Sequence, residues 1–546
     1  MDTLKIIKPF FYENKKILLT YTLFVLLSYP LESVIIPKMF SHFFKTIESG
    51  LTNEKLYEFL KNFVLLMTFT NIAQTICSRL DTIIIPKFNE YTTNKLFGKI
   101  LKFYENNYAD LELGKILSRI NSLPSVIREL TTDLFNWIVP KLFTIVIINL
   151  IFTYHNKTLG LISFIFLFGI LYYNYNKYIE CIELSNKRYL TYEEKSESVQ
   201  DKLSNLYAIY SSSKVNDEIE DFKSITQKFK NNQENAMLCA NNIKNTNNML
   251  TLIFFMFMLF YTAELMKQNI IDHEKLVAIY MMLIFYVPCL NTMITYLPDY
   301  TNHMGIISSV NEYIKLINVD NPEKPNININ QGEINLKNVS FGYSNDKKIF
   351  DNFNLNIKSK SKIAIVGPSG NGKSTLVKLI MGYFKIADEC IFIDGQDINK
   401  HNLGSLRSQI SYINQNTKLF NKTIYENIQY GNNMTMENIN NLIKKYELEQ
   451  IFKNIPNCFE SNVGVNGDSL SGGQKQLIQL LRCYNKNNKI IILDEPTSAL
   501  DSTTKKAVIN IIKDISKEAT LIIITHDDTN LELTNETIRI VNGKIV

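Results

Sequence analysis

Six apolar runs within the first 300 residues limit what this chain can fold into more than any other feature. They fall at roughly 17–37, 59–79, 134–154, 158–178, 248–267 and 276–297, and each approaches the ~20 residues a helix needs to cross a bilayer. The fifth, centred on LTLIFFMFMLFY, is the most regular, and Pro30 and Glu32 interrupt the first. One or two such runs would suit buried helices of a soluble core; six in series predict a membrane domain. His155–Lys157 alone separates the third and fourth spans, which predicts a tight hairpin. About 54 residues separate the second and third, and about 69 the fourth and fifth. Both connections are polar with helical periodicity and few Gly or Pro residues, so they read as helices continuing beyond the bilayer. Lys5, Lys8, Lys15 and Lys16 precede the first span and place the N-terminus on the cytosolic side. MDTLKIIKPFFYENKK has no apolar h-region or small-residue cleavage site, so the first span reads as an uncleaved anchor. Six crossings then return the chain to the cytosol.

Composition narrows the function classes. At 546 residues the chain is too long for one ordinary domain. Lys+Arg 58 against Asp+Glu 53 gives a net charge of +5, too balanced for a nucleic-acid partner held by bulk basicity. Cysteines 77, 181, 239, 289, 390, 458 and 483 are odd in number and unevenly spaced, and they read as reduced thiols. A polar stretch with two prolines, VDNPEKPNININQGE, favours an extended connection. The expected organisation is therefore a six-span all-α membrane domain over 1–318, a linker over 319–331, and an α/β domain on a largely parallel sheet over 332–546.

The second half carries the chemistry. KIAIV reads as a strand and TLVKLIM as a helix, and between them runs Gly367-Pro-Ser369-Gly370-Asn371-Gly372-Lys373-Ser374, followed by Thr375. This is the G-x-x-x-x-G-K-[ST] phosphate loop in the strand–loop–helix setting it requires. Its glycines let backbone N–H groups converge on phosphate oxygens, and the helix N-terminus adds partial positive charge. Lys373 is expected at the β/γ-phosphates and Ser374 at Mg²⁺. About 120 residues on, IIIL ends in Asp494 and Glu495, a pair suited to metal binding and to polarising water.

LSGGQ at 470–474 lies between these two segments, and with ILDEPTSALD at 492–501 it resembles the nucleotide-binding domain of ABC transporters. The resemblance implies further roles in ATP binding. Tyr343 in VSFGYS would stack on adenine, Gln415 in SYINQNTKLF would be the Q-loop residue, Asp501 the D-loop residue, and His526 in IIITHDD the switch histidine. It also implies that Ser374, Gln415 and Asp494 serve Mg²⁺, that Glu495 activates water, and that His526 steadies the γ-phosphate. Ser471, Gly473 and Gln474 would complete the ATP site of a second subunit. LFNKTIYENIQYG, IPNCFESNVGVNG, LELGKILSRINSLPSVIREL and QDKLSNLYAIYSSSKVNDEIEDF are similar to segments of exporters with six spans and one ATPase domain per chain. The last two imply coupling helices near Phe103–Leu111 and Leu206–Ser212. Three departures stand out: Val465 where a glutamate is usual, Leu477 where an arginine is common, and an end at NGKIV, short of the family's helical tail.

The implied function is ATP-driven export by a half-transporter that dimerises, as a homodimer or with a different partner chain, in a lipid bilayer. The alternatives are a regulatory membrane subunit that needs a partner chain, and a non-transport ABC ATPase. Glu32, Lys141, Asn149 and Asn291 lie in or near spans, where charge marks pathways but can also snorkel to an interface. None is assigned to substrate from sequence. Asn156-Lys-Thr158 fits a glycosylation sequon in a loop too short and too near the membrane for modification.

Overall fold

The computed structural model describes residues 2–546 apart from 107–112, 297–298, 309–323, 344–347, 416–417, 454, 456–457, 485, 487 and 499. Contacts divide it into two compact units, Met1–Leu101 with Asp110–Val319, and Lys102–Ala109 with Asp320–Val546.

The first unit is helical: α1 (Asp2–Glu13), α2 (Lys15–Pro30), α3 (Ile36–Glu48), α4 (Asn53–Asn106), α5 (Leu113–Asp133), α6 (Val139–His155), α7 (Lys157–Ser204), α8 (Leu206–Ser211), α9 (Val215–Lys267) and α10 (His273–Thr295). Among the described residues six helical stretches are long and apolar enough to cross a membrane, from Lys15–Glu48 to His273–Thr292. Pro30 and Glu32 do not break the first span. A π-helical turn, Leu31–Ile35, absorbs the proline's missing N–H and joins α2 to α3. A second π turn, Leu134–Ile138, joins α5 to α6. At the hairpin, Asn156 caps α7, its Oδ1 accepting from Thr158 N at 2.8 Å and Leu159 N at 3.3 Å. Gly160 lets α6 and α7 cross closely there, since a Cβ would lie 2.5 Å from Thr153 Cα. Of the expected coupling helices, α8 falls at the second position; the first extends into residues 107–112, outside the described residues.

The long helices α7 and α9 pack against one another, and Asn247 Nδ2 on α9 donates to Asn174 Oδ1 on α7 at 2.7 Å. This packing overturns one expectation. Cys181 and Cys239 approach to 5.6 Å between Cα atoms and form a disulfide, leaving the other five cysteines free. Their separation of 58 residues gives no hint of the pairing, because helix register alone brings them together.

The second unit joins two sheets. β1 (Ile334–Phe341), β2 (Phe350–Ile357), β4 (Ile391–Ile393) and β5 (Gln396–Asp397) form an antiparallel sheet in the order β2-β1-β4-β5. β3 (Lys362–Val366), β6 (Ile410–Ile413), β7 (Ile490–Asp494), β8 (Thr520–Ile524), β9 (Glu536–Val541) and β10 (Lys544–Ile545) form the other, in the order β10-β9-β3-β8-β7-β6. All of its pairings are parallel except β9 with β10. Helices cover both faces, so its strands are unbroken apolar runs. Ile490–Leu493 are each no more than 2% exposed, and burying each such side chain stabilises the fold by about 1.5–3 kcal/mol. Ile327 and Ile329, in the stretch expected to be a linker, are buried in this unit's core, and Gln409 holds Ile329 N at 2.9 Å.

Candidate nucleotide site

Four parallel strands, β3, β8, β7 and β6, are adjacent in that order, and their C-terminal ends carry the residues singled out above. Ile365 pairs with Ile524, and Leu493 with both Ile523 and Ile413. One edge therefore presents the phosphate loop, His526, Asp494 with Glu495, and Gln415, the usual place for a ligand on a parallel sheet.

The loop after β3 turns through left-handed backbone at Gly370 (φ 80°) and Gly372 (φ 93°). A Cβ on Gly372 would lie 2.7 Å from Ile349 Cγ2, and one on Gly367 would lie 2.1 Å from Ile540 O. Ser369 is exposed on the turn, while Asn371 ties it down: Nδ2 donates to Pro368 O at 3.0 Å and Oδ1 accepts from Asn542 N at 2.8 Å. Helix α11 (Lys373–Ile380) starts immediately after the loop. Lys373 is 7% exposed, and its Nζ donates to Gly367 O at 2.6 Å and Pro368 O at 3.0 Å. Thr375 is buried and its Oγ1 meets the Tyr343 hydroxyl at 3.1 Å. The Tyr343 ring is exposed, with the rings of Phe341 and Phe384 nearly perpendicular to it, each at 5.4 Å.

Ser374 Oγ donates to Asp494 Oδ2 at 3.0 Å, 120 residues away in sequence. Burial pushes the Asp494 carboxyl up, with the Ser374 hydrogen bond opposing it. Burial likewise pushes the Lys373 ammonium down, against the pull of Asp494 and Glu495. Each is a buried charge short of a counter-charge. Phosphates beside Lys373 and a cation beside Asp494 and Ser374 would supply both, so these residues fit a metal–nucleotide complex.

Glu495 sits at φ 48°, and its N–H donates to Ile524 O at 2.9 Å, which turns its side chain beyond the strand. Its Oε2 accepts from Gln415 Nε2 at 3.0 Å, and its Oε1 lies 3.9 Å from His526 Nε2. Lys373, Ser374, Gln415, Asp494, Glu495 and His526 thus form one connected group. Sequence reasoning missed the side chain that holds the histidine's loop. Buried Asn530 donates to Thr497 Oγ1 at 2.7 Å and to Thr525 Oγ1 at 3.0 Å, tying the segment after β7 to the segment after β8. In sequence it is one more Asn in an Asn-rich chain.

Ser471, Gly473 and Gln474 do not join this group. They open helix α16 (Gly472–Cys483; α12–α15 are Leu403–Ser408, Ile424–Gln429, Met436–Lys445 and Glu449–Phe452). Ser471 Oγ accepts from Gln474 N at 3.3 Å, and Gln474 Oε1 accepts from Ser471 N at 2.9 Å, a reciprocal capping box. Asp501 caps α17 (Ser502–Ile515), its Oδ1 accepting from Thr504 N at 2.7 Å. Val465 is 62% exposed, whereas Leu477 is fully buried where an arginine would need a partner.

Comparison with known proteins agrees with this architecture. The family model for the ABC transporter transmembrane region matches residues 18–288, and the model described as ABC transporter matches 350–498. An uncharacterized ABC transporter ATP-binding protein, YwjA of Bacillus subtilis, is 38% identical over 38% of this chain and 36% of its own. The mitochondrial iron-sulfur clusters transporter ATM1 of Debaryomyces hansenii is 42% identical over 36% of this chain and 28% of its own. The chain thus spans about a third of the length of these curated relatives. A solved bacterial Atm1-family ABC exporter with ATP bound shares the fold at TM-score 0.87 and 21% identity, covering 98% of this chain and 94% of that one. With a membrane region and an ATP-binding domain in series on one polypeptide, and six helices among the described residues long and apolar enough to cross a membrane, the chain belongs to the ABC transporter family as a multi-pass integral membrane protein.

Proposed function

We propose that this chain dimerises and exports a substrate at the expense of ATP, with its ATPase unit in the cytosol. The observation that supports this most is the connected group at the strand ends, where Ser374 meets Asp494 and Gln415 meets Glu495. In this reading Lys373 leaves the carbonyls of Gly367 and Pro368 for the β/γ-phosphates, and Tyr343 stacks on adenine. Ser374, Asp494 and Gln415 would hold Mg²⁺, which when bound would neutralise charge on the phosphate oxygens. Glu495 accepts the proton of the attacking water, and His526, held by the Asn530 network, donates toward the γ-phosphate. Ser471 and Gly473 act on the ATP of the second subunit through the start of α16, where the N–H groups left unbonded by the helix can meet phosphate. Domain positions follow the same reading: membrane domain to 318, connection to 331, ATPase domain beyond.

The test is ATP turnover by the chain expressed alone in lipid nanodiscs, beside Glu495→Gln. Turnover that falls at least ~100-fold in the variant, with ATP binding kept, supports a self-sufficient homodimer. Equal turnover in both would remove Glu495 from catalysis. Bound ATP with no turnover in either would favour a missing partner chain, and release from membranes by carbonate would end the transport reading.

A further inference from the structure

Glu495 holds left-handed backbone at φ 48°, a region that costs an ordinary side chain free energy and persists only where the surroundings hold it. Bonds to the peptide groups on either side of it do the holding. Its N–H donates to Ile524 O at 2.9 Å, which joins it to the end of β8. Its C=O accepts from Ser498 Oγ at 3.2 Å and Ser498 N at 3.4 Å, both inside the turn that follows β7, and from Gln476 Nε2 at 3.4 Å. Among the described residues Gln476 is the only donor to this carbonyl from another element.

Gln476 stands on α16, one helical turn after Gly472. Its neighbours Leu477, Ile478 and Leu481 are buried in one core with Ile491 and Leu493 of β7, so the helix is seated against the strand that delivers Glu495. Gln476 itself is 7% exposed, a costly place for an amide. Its Oε1 is buried and has no hydrogen-bond partner among the described residues. A buried acceptor left unmet lowers stability, so the amide costs the fold more than a methionine would, and what it supplies is the Nε2 donor.

At 3.4 Å that bond is long, and a shift of α16 by about 0.5 Å would bring it to the usual length of about 2.9 Å. The grip on the Glu495 peptide therefore depends on where α16 stands. The start of the same helix, at Ser471 and Gly473, is the part that acts on the ATP of the second subunit in the reading above.

We propose that Gln476 is a positioning residue for Glu495, which makes the seating of the carboxylate depend on the position of α16. This rests on the reading of Glu495 as the group that takes the proton of water. One helix then serves both ATP sites of a dimer, with its first turn at one and Gln476 behind the base of the other.

The full chain in nanodiscs is compared with Gln476→Met, which keeps length and volume and removes both the donor and the unmet acceptor. Its kcat should fall about tenfold with KM for ATP within about twofold of the parent, the pattern of a group that acts after binding. The temperature at which buried Cys483, at the far end of α16, opens to alkylation should be unchanged or higher. A residue that only held the fold would give the reverse, a lower midpoint with kcat kept, and that result would overturn the proposal. Ser498→Ala removes a donor inside the turn and leaves the link to α16, so it should lower kcat by less than about threefold. A loss equal to that of Gln476→Met would take the link to α16 out of the account and overturn it. Amide hydrogen exchange over residues 493–498 needs no turnover and should speed in Gln476→Met. Unchanged exchange would overturn the proposal even in a chain that does not hydrolyse ATP alone. Turnover kept in Glu495→Gln would defeat the reading of Glu495 as the base, whereas turnover lost in Glu495→Gln and kept in Gln476→Met would defeat only the role of Gln476.

Discussion

Asn427 sits in the ENI segment of α13 with no exposed surface, and its side chain organises the turn that leads from the Gln415 loop into that helix. Its Oδ1 accepts from Phe420 N at 3.0 Å and from Arg482 Nη2 at 2.7 Å. Its Nδ2 donates to Phe420 O and Thr423 O, each at 3.0 Å. Asn427→Ala removes these four bonds. Thr423 O keeps its main-chain partner, Asn427 N, Phe420 O keeps Lys422 N, and Arg482 keeps Nε on Asn427 O, so the unmet groups are Phe420 N–H and one guanidinium N–H. One neutral bond at about 1 kcal/mol and part of a charge-assisted one sum to about 2 kcal/mol. For a unit of this size that lowers the unfolding midpoint by about 4–8 °C. Cys483 adjoins Arg482 on α16, is 8% exposed, and belongs to the same core. Its alkylation in the full-length protein, read by peptide mass spectrometry as temperature rises, measures opening of that core. Asn427→Asp keeps the Arg482 acceptor, opposes two carbonyls, and should fall between. ATP binding at low temperature should be unchanged, since no phosphate-loop residue touches Asn427. A midpoint within about 2 °C of the parent would refute the assignment of these bonds as stabilising.

Gly372→Ala should weaken ATP photolabelling by about tenfold or more, because the new Cβ meets Ile349 and Phe350 and the residue must keep φ 93°; labelling within twofold of the parent would contradict the cradle. The Lys445 ammonium, then Tyr446 and Lys517, hold the Asp514 carboxyl well below the usual carboxylate range. A depressed folded-state value means that stability is present above the unfolded value and lost as pH falls through the folded one. Asp514→Asn should therefore cost about 1 kcal/mol near neutral pH, and the gap to the parent should close below about pH 4 in urea titrations followed by circular dichroism. A constant gap down to pH 2 would contradict that account. Maleimide labelling of the denatured, unreduced chain should modify five of the seven cysteines; seven would rule out the Cys181–Cys239 pair.

The phosphate loop was legible because its chemistry dictates residue types at fixed spacing, and IIILDE because a buried parallel strand must be apolar until its end. What brings them together was not legible from local pattern. Ser374 and Asp494 meet because β8, the later strand in the chain, inserts between β3 and β7, a pairing that no local propensity encodes. The membrane spans were legible from hydropathy, but the π turn at Leu31–Ile35 was not: proline signals a break, and the surrounding helices supply the constraint that keeps the span continuous. The Cys181–Cys239 pair and the burial of Ile327 and Ile329 were not legible for the same reason, since their partners are tertiary.

The signature segment shows why a sequence match and a mutational effect are different things. Ser471 and Gln474 are spent on one another at the start of α16, and Gln474 Nε2 also donates to Ile451 O at 2.9 Å. The side chains that identify the motif therefore fix where the helix begins, while Gly472 and Gly473 leave its first N–H groups uncovered for a phosphate. Ser471→Ala would remove a cap worth about 1 kcal/mol as well as any contact across a dimer, so lost activity in that variant cannot by itself locate the phosphate. Gln474→Glu keeps the reciprocal acceptor but gives up the bond to Ile451 O, adds charge that suits a helix N-terminus, and opposes an incoming anion. Activity lost in Gln474→Glu but kept in Gln474→Met, which loses the same bond to Ile451 O without adding charge, would separate the electrostatic role of this segment from its structural one.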